Sequence, residues 1–202
     1  MIEIIGIGPG DARYHTREVK ERIIASEYVV GTERQLESVH ALEKGIRYEG
    51  KLATLKSLIA SGLTQYGRVS VLASGDPSFY GISTWIQKNF ESEQIEIVTG
   101  ISSLQILFGK LGIPMHDVFL TSLHGREPNW ELWTKLPKVG LLTDKEQTPA
   151  VIARTLIDRG LNPQMVVGEW LTYPEEKIEI GSADYFLERQ YEFCVVVIDF
   201  EG

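Results

Sequence analysis

Ile2-Glu3-Ile4-Ile5-Gly6-Ile7-Gly8-Pro9-Gly10-Asp11 opens the chain, and the reading of this stretch decides the fold. Residues 2–7 form a short apolar run with the composition of a strand. Gly6, Gly8 and Gly10 mark a tight turn, and residues 16–25 then carry Val19, Ile23 and Ile24 at helical spacing behind Thr16 as N-cap. Strand, glycine turn and helix invite a dinucleotide reading. That fingerprint needs G-x-G-x-x-G, and Asp11 stands where its third glycine belongs. Pro9 also lacks the N–H that a pyrophosphate cradle would use. A nicotinamide oxidoreductase is therefore disfavoured, while a plain strand-to-helix turn, its glycines serving only positive φ, stays open.

Working outward, the alternation repeats. Residues 28–30, 45–48, 69–73 and 95–98 read as strands, and residues 34–42, 52–59, 79–90 and 102–111 as helices. This predicts an α/β fold with a mostly parallel sheet, helices on both faces, and residues 118–120 as its last strand. The character changes after Gly112-Ile113-Pro114. A strand at 139–142 and a helix at 151–157 precede a strand-rich remainder at 165–167, 177–180 and 193–198, with a short helix near 183–187. The expected division is an N-terminal α/β domain over 1–113 and a smaller mixed α/β C-terminal domain over 114–202.

Two more loops share the form of the first. Ala73-Ser74-Gly75-Asp76-Pro77-Ser78 and Thr99-Gly100-Ile101-Ser102-Ser103 each lie between an expected strand and an expected helix. Loops at the carboxyl ends of parallel strands line the ligand crevice of open α/β sheets, so these can converge on one site. Each also has a simpler explanation: Asp76 as N-cap with Pro77 at N1, and Ser102 or Ser103 as N-cap. No G-x-x-x-x-G-K-[ST] phosphate loop is present, and spacing assigns no Ser/His/Asp or Cys/His group. His15, His40, His116 and His124 are scattered without metal spacing, so no metal is expected.

Composition narrows the classes further. The 202 residues are 43% hydrophobic and 24% charged, ordinary for a globular protein, with a formal net charge of −8. That charge argues against broad binding to nucleic acid or anionic membrane, although 20 Lys and Arg remain for a local basic pocket. The single cysteine, Cys194, excludes an intramolecular disulfide, and its apolar setting, Phe193 to Ile198, is that of a buried strand thiol. The opening apolar run is too short for a signal-peptide core or a membrane span, so a cytoplasmic location is expected.

Taken together and in order, Gly6-Ile7-Gly8-Pro9-Gly10-Asp11, Gly75-Asp76-Pro77 with Phe79-Tyr80-Gly81, and Gly100-Ile101-Ser102-Ser103 resemble the tetrapyrrole methylase family of S-adenosylmethionine enzymes. The resemblance spans nearly the whole chain. Val30-Gly31-Thr32-Glu33-Arg34-Gln35-Leu36 and Thr121-Ser122-Leu123-His124-Gly125-Arg126 look like the branch that methylates C5 of cobalt-precorrin-7. The resemblance implies a two-domain architecture whose C-terminal domain completes the cofactor cleft, and a homodimer. S-adenosylmethionine would meet Pro9, Asp76, Phe79, Ser102 and Ser103, with Leu142 and Thr143 beside its methionine moiety and residues 168–171 near its adenosine. Many relatives carry a fused second methyltransferase that acts at C15 with loss of a carboxyl group. Here that activity is expected in a separate enzyme.

The substrate so implied is a corrinoid tetrapyrrole bearing several carboxylates, for which bidentate arginine is the natural partner. Arg34 and Arg126 are the candidates, with Arg13 a third. His124 is a candidate for substrate contact, for carrying the departing proton, or for positioning its loop. Readings left open are the same fold with another acceptor (a different corrin position, a diphthamide protein or ribosomal RNA) and a non-catalytic nucleotide-binding module.

Overall fold

β1 (Ile2–Gly6) and β4 (Val69–Ala73) are buried at every position, without alternation, as befits parallel strands covered on both faces. They are the centre of a five-stranded sheet completed by β2 (Val29–Gly31), β3 (Gly45–Arg47) and β5 (Ile95–Val98), in the order β3-β2-β4-β1-β5. Every neighbouring pair is parallel. The computed structural model describes residues 1–201, and the chain divides into two units, Met1–Ser102 and Ser103–Gly202.

In the first unit each face of the sheet has its own core. Ile2 and Ile4 of β1 join Val69 and Val71 against Leu55 and Ile59 of α3 (Leu52–Tyr66) and Ile86 of α4 (Ser83–Asn89). Ile5 and Leu72 point the other way, onto Val19 and Ile23 of α1 (Arg17–Ala25) and Leu36 of α2 (Glu33–Ser38). Each such side chain, fully buried, contributes roughly 1.5–3 kcal/mol. Glu3, on the same strand and 2% exposed, is paired with Arg22 at 2.6 Å, Ser70 Oγ at 3.0 Å and Arg68 at 3.2 Å, so its burial leaves no polar oxygen without a partner. From β1 the chain crosses past β4 to reach β2, and from β4 it crosses past β1 to reach β5. The two connections leave in opposite directions, so the carboxyl ends of β1 and β4 flank the topological switch point.

The second unit carries β6 (Val118–Ser122), β7 (Lys138–Leu142), β8 (Gln164–Glu169), β9 (Lys177–Ser182) and β10 (Cys194–Asp199), ordered β6-β7-β10-β8-β9. Only β6 and β7 are parallel. Helices α5 (Ser103–Leu111), α6 (Trp130–Trp133) and α7 (Pro149–Asp158) belong to this unit. Its core gathers Val139, Leu141, Ile152, Leu156, Val167, Phe186 and Val196. No helix among the described residues is long and apolar enough to cross a membrane.

Three local expectations are corrected. The strand near residues 118–120 does not close the first sheet: it is β6, paired with β7 from Val118↔Lys138 to Ser122↔Leu142. A Cβ on Gly140 would lie 2.8 Å from Leu120 Cδ2, so the bare backbone there lets the two strands meet. The helix expected over 79–90 begins only at Ser83. Tyr80 takes a left-handed φ of 53°, and a Cβ on Gly81 would meet Pro77 O at 2.5 Å, so this stretch folds back as a turn. Asp76 therefore caps no helix. The first glycine loop leads into a 3-10 turn, Ala12–Tyr14, capped by the Asp11 carboxylate accepting Arg13 N–H at 2.7 Å, and α1 starts behind Thr16 as its N-cap, as expected.

Candidate active site

At the switch point the three glycine loops lock together. Gly8 N–H donates to Gly75 O at 3.3 Å and Gly75 N–H to Gly8 O at 2.7 Å, with φ of 71° and 68° respectively. A Cβ on Gly6 would lie 2.6 Å from both Gly100 N and Pro77 Cδ, and one on Gly100 would lie 2.1 Å from Gly75 O. Close approach of one loop to the next thus explains Gly6 and Gly100, beyond any need for positive φ. Asp76 binds the block across its width: Oδ1 accepts Ser78 N–H and Ser78 O–H, each at 2.7 Å, and Oδ2 accepts Gly100 N–H at 3.2 Å.

Around this block lie Pro9 and Phe79, both half-buried, and Ser102, which is buried. Arg34 stands on the first turn of α2, where its Nη2 donates to Ser74 Oγ at 3.2 Å, and Gln35 Nε2 reaches the same oxygen at 3.3 Å. The capping box of Thr32 and Gln35 fixes that turn. Arg13 instead pairs with Asp11 at 2.8 Å. Pro9, Asp76, Phe79, Ser102 and Arg34 are therefore gathered at one end of the first sheet. Ser103 opens α5 in the second unit.

In the second unit the remaining candidates also share one end of their sheet. Ser122 lies opposite Leu142, Leu142 opposite Val195, and Val195 opposite Gly168. The loops that follow β6, β7 and β8 therefore emerge side by side, next to the start of β10. His124 and Arg126 are exposed in the first of them, whose shape comes from His124 N–H to Ser122 Oγ at 3.1 Å and Arg126 N–H to Leu123 O at 3.1 Å. Asp144 ties this loop to the next: its Oδ2 accepts Gly125 N–H at 3.3 Å and its Oδ1 accepts Gln147 and Glu146 N–H. The Gln147 amide above all, with those of Glu146 and Gly125, holds the Asp144 carboxyl below the usual carboxylate range. Leu142 is half-buried, and Thr143 Oγ1 donates to Cys194 O at 2.6 Å. Burial pushes the Cys194 thiol up to about 11, so it is a packing residue and not a nucleophile.

Asp144 and Gln35 were not anticipated as supporting residues, although Gln35 lies within a segment the sequence had singled out and Asp144 directly follows one. A third feature is a backbone conformation that the sequence did not signal, although Trp170 lies in the 168–171 segment expected near the adenosine. Trp170, Thr172 and Phe193 all have left-handed backbones, with φ of 46°, 76° and 43°, each a strain of roughly 1–3 kcal/mol. No group of His, Cys, Asp and Glu suited to a metal ion occurs among the described residues.

A doubly wound parallel sheet with a ligand-type switch point in one unit, and a mixed sheet whose loops cluster at one end in the other, make up the two-domain α/β architecture of methylases that work on tetrapyrrole rings. The chain belongs to that family: the model for tetrapyrrole (corrin/porphyrin) methylases matches residues 1–185. It is 37% identical, over 98% of both chains, to the cobalt-precorrin-7 C(5)-methyltransferase of Salmonella typhimurium. Among solved structures it is similar to a cobalamin biosynthesis precorrin-6Y methylase from Archaeoglobus fulgidus, with a TM-score of 0.80, 22% identity, and 100% of this chain and 99% of that one covered. It is also similar to the uroporphyrin-III C-methyl transferase of Thermus thermophilus complexed with S-adenosyl homocysteine, with a TM-score of 0.80, 17% identity, and 98% and 96% covered. At these identities the two structures speak for the fold.

Proposed function

We propose that this protein is an S-adenosylmethionine-dependent C-methyltransferase that acts at C5 of a precorrin or cobalt-precorrin ring in cobalamin biosynthesis. The observation that carries the reading is the 37% identity, over 98% of both chains, to an enzyme of that name.

The donor set of the first-unit loops fits S-adenosylmethionine. An anionic residue, Asp76, sits at the centre of the loop block, and the adjacent Pro9 offers no N–H. That setting repels phosphates and suits a sulfonium-bearing nucleoside that has none. A carboxylate has about four lone-pair sites, and the three donors Asp76 already accepts leave room for a hydroxyl or ammonium donor. Asp76, Pro9, Phe79, Ser102 and Ser103, with Leu142 and Thr143, would hold the donor. When bound, it supplies an electrophilic methyl group.

The residues of the chain bind and orient. Alignment of the reacting atoms accounts for about 7–11 kcal/mol of barrier in such reactions, so a site without a catalytic dyad suffices. Arg34 and Arg126 would each pair with a ring carboxylate, and His124, beside Arg126, would contact the substrate and take up the proton released from the methylated carbon. We place the enzyme in the cytoplasm as a homodimer, with methylation and decarboxylation at C15 left to a separate enzyme.

The test is incubation with candidate precorrins and methyl-labelled S-adenosylmethionine, reading the product's mass and the labelled carbon by NMR. A new methyl at C5 is expected. A methyl at another ring carbon, or donor binding with no transfer to any tetrapyrrole, overturns the reading.

A further inference from the structure

Trp170 and Phe193 form an aromatic ledge at the end of the second sheet that also carries Thr143 and Arg126. Their ring centroids are 4.8 Å apart with planes tilted by 36°, and Tyr173 supports Trp170 edge-on at 5.5 Å. Phe193 is 61% exposed, among the more exposed large apolar side chains of the chain. Both residues hold a left-handed backbone that bulky side chains avoid. An exposed ring in a disfavoured conformation persists only where the surroundings fix it.

They do fix it. Trp170 N–H donates to Phe193 O at 3.2 Å, and Tyr173 N–H to Trp170 O at 2.9 Å. Glu176, itself paired with Lys110 at 2.8 Å, accepts Thr172 N–H at 2.6 Å. Glu169 lies opposite Cys194 and accepts Glu192 N–H at 2.6 Å. Phe193 directly precedes Cys194, whose carbonyl takes the Thr143 hydroxyl. β6, β7 and β10 lie side by side, so two strand spacings, about 10 Å, separate the Arg126 loop from the ledge.

Resting on the function proposed above, we infer that the Trp170–Phe193 ledge stacks against the conjugated face of the tetrapyrrole substrate while Arg126 holds a carboxylate at its rim. A flat, conjugated polyanion is the ligand that needs a π-surface and a cation at that separation. The adenine of the methyl donor is the less suitable occupant. Gly168 and Leu171 are buried, whereas Trp170 is half-buried and its ring meets the exposed Phe193.

The test compares Phe193→Leu and Trp170→Leu with the ring-keeping Phe193→Tyr and Trp170→Phe in the full-length protein. Binding of the precorrin substrate is followed anaerobically by absorbance, S-adenosylhomocysteine binding by calorimetry, and oligomeric state by sedimentation. The leucine variants should raise the tetrapyrrole Kd roughly tenfold, a loss typical of one stacking partner. They should leave S-adenosylhomocysteine affinity and sedimentation unchanged, and the ring-keeping variants should bind as the wild type does. Unchanged tetrapyrrole affinity overturns the inference, as does loss confined to S-adenosylhomocysteine, equal loss of both ligands, or a change in subunit number. Wild-type protein that binds no tetrapyrrole overturns the underlying function as well, which separates the two failures.

Discussion

Gly8 and Gly75 are joined by two backbone hydrogen bonds, of 3.3 and 2.7 Å, that tie the loop after β1 to the loop after β4. The third loop enters this pairing through Gly100, whose Cα faces Gly75 O so closely that a Cβ would sit 2.1 Å from it. At Gly75 the space is open, with nothing nearer than Ser102 Cα at 3.9 Å, and only the φ of 68° is costly. Gly100→Ala should therefore destabilise by about 3 kcal/mol or more, as overpacking against backbone does. Gly75→Ala should cost only about 1–2 kcal/mol. Urea midpoints of the two variants in the same order would bear this out, and equal midpoints would not.

Asp76→Asn keeps the size of the side chain but has one oxygen where three donors now find two. Either Gly100 N–H or the Ser78 pair then faces an NH2 group. Stability should fall by about 1–2 kcal/mol, the cost of one unsatisfied group. S-adenosylhomocysteine affinity should fall roughly tenfold if Asp76 also accepts from the donor. Calorimetry with undiminished affinity would leave Asp76 a purely structural role.

Arg126→Ala and Arg34→Ala should each weaken binding of the polyanionic ring roughly tenfold, the loss expected for a charge-assisted pair, and leave S-adenosylhomocysteine binding intact. Equal loss of both ligands would mark a structural arginine. For Arg34 that outcome would point to its bond to Ser74.

Glu179 on β9 accepts Tyr191 and Tyr185 hydroxyls and faces Lys177 and Arg189, and these partners, Tyr191 foremost, hold its carboxyl at about 2. Its folded value lies below its unfolded one, so this stabilisation is complete above the ordinary carboxylate range and is lost as pH falls from about 4.5 toward 2. Glu179→Gln should remove that part of the acid dependence. Urea midpoints from pH 7 to pH 3 should fall less steeply in the variant, and parallel profiles would refute the assignment.

The sequence made the central architecture legible because β1 and β4 lie between two cores and so read as mainly apolar runs between helix patterns, each broken by a single polar residue, Glu3 or Ser70. It could not say which sheet residues 118–122 join, since an apolar run of five carries no record of its partner. The Phe79–Ile82 turn was hidden for another reason. Apolar residues there suit a helix, and the left-handed Tyr80 and the close approach of Gly81 to Pro77 leave no mark in the pattern. The loop residues of the candidate site stood out through their glycines and their order. The pairing of Trp170 with Phe193 did not, although the resemblance puts residues 168–171 near the adenosine, because residues distant in sequence meet only once β8 and β10 pair.

The interlocked loops also suggest where this scaffold can be altered. Gly6, Gly8, Gly75, Asp76 and Gly100 behave as one cast part, in which a change at any member disturbs the others. Thr99 rides on the same part with an exposed side chain, whereas the Ser78 hydroxyl belongs to the Asp76 network and Ser74 anchors Arg34. Diversity introduced at Thr99 would vary what the crevice presents to a ligand while the casting itself stays true.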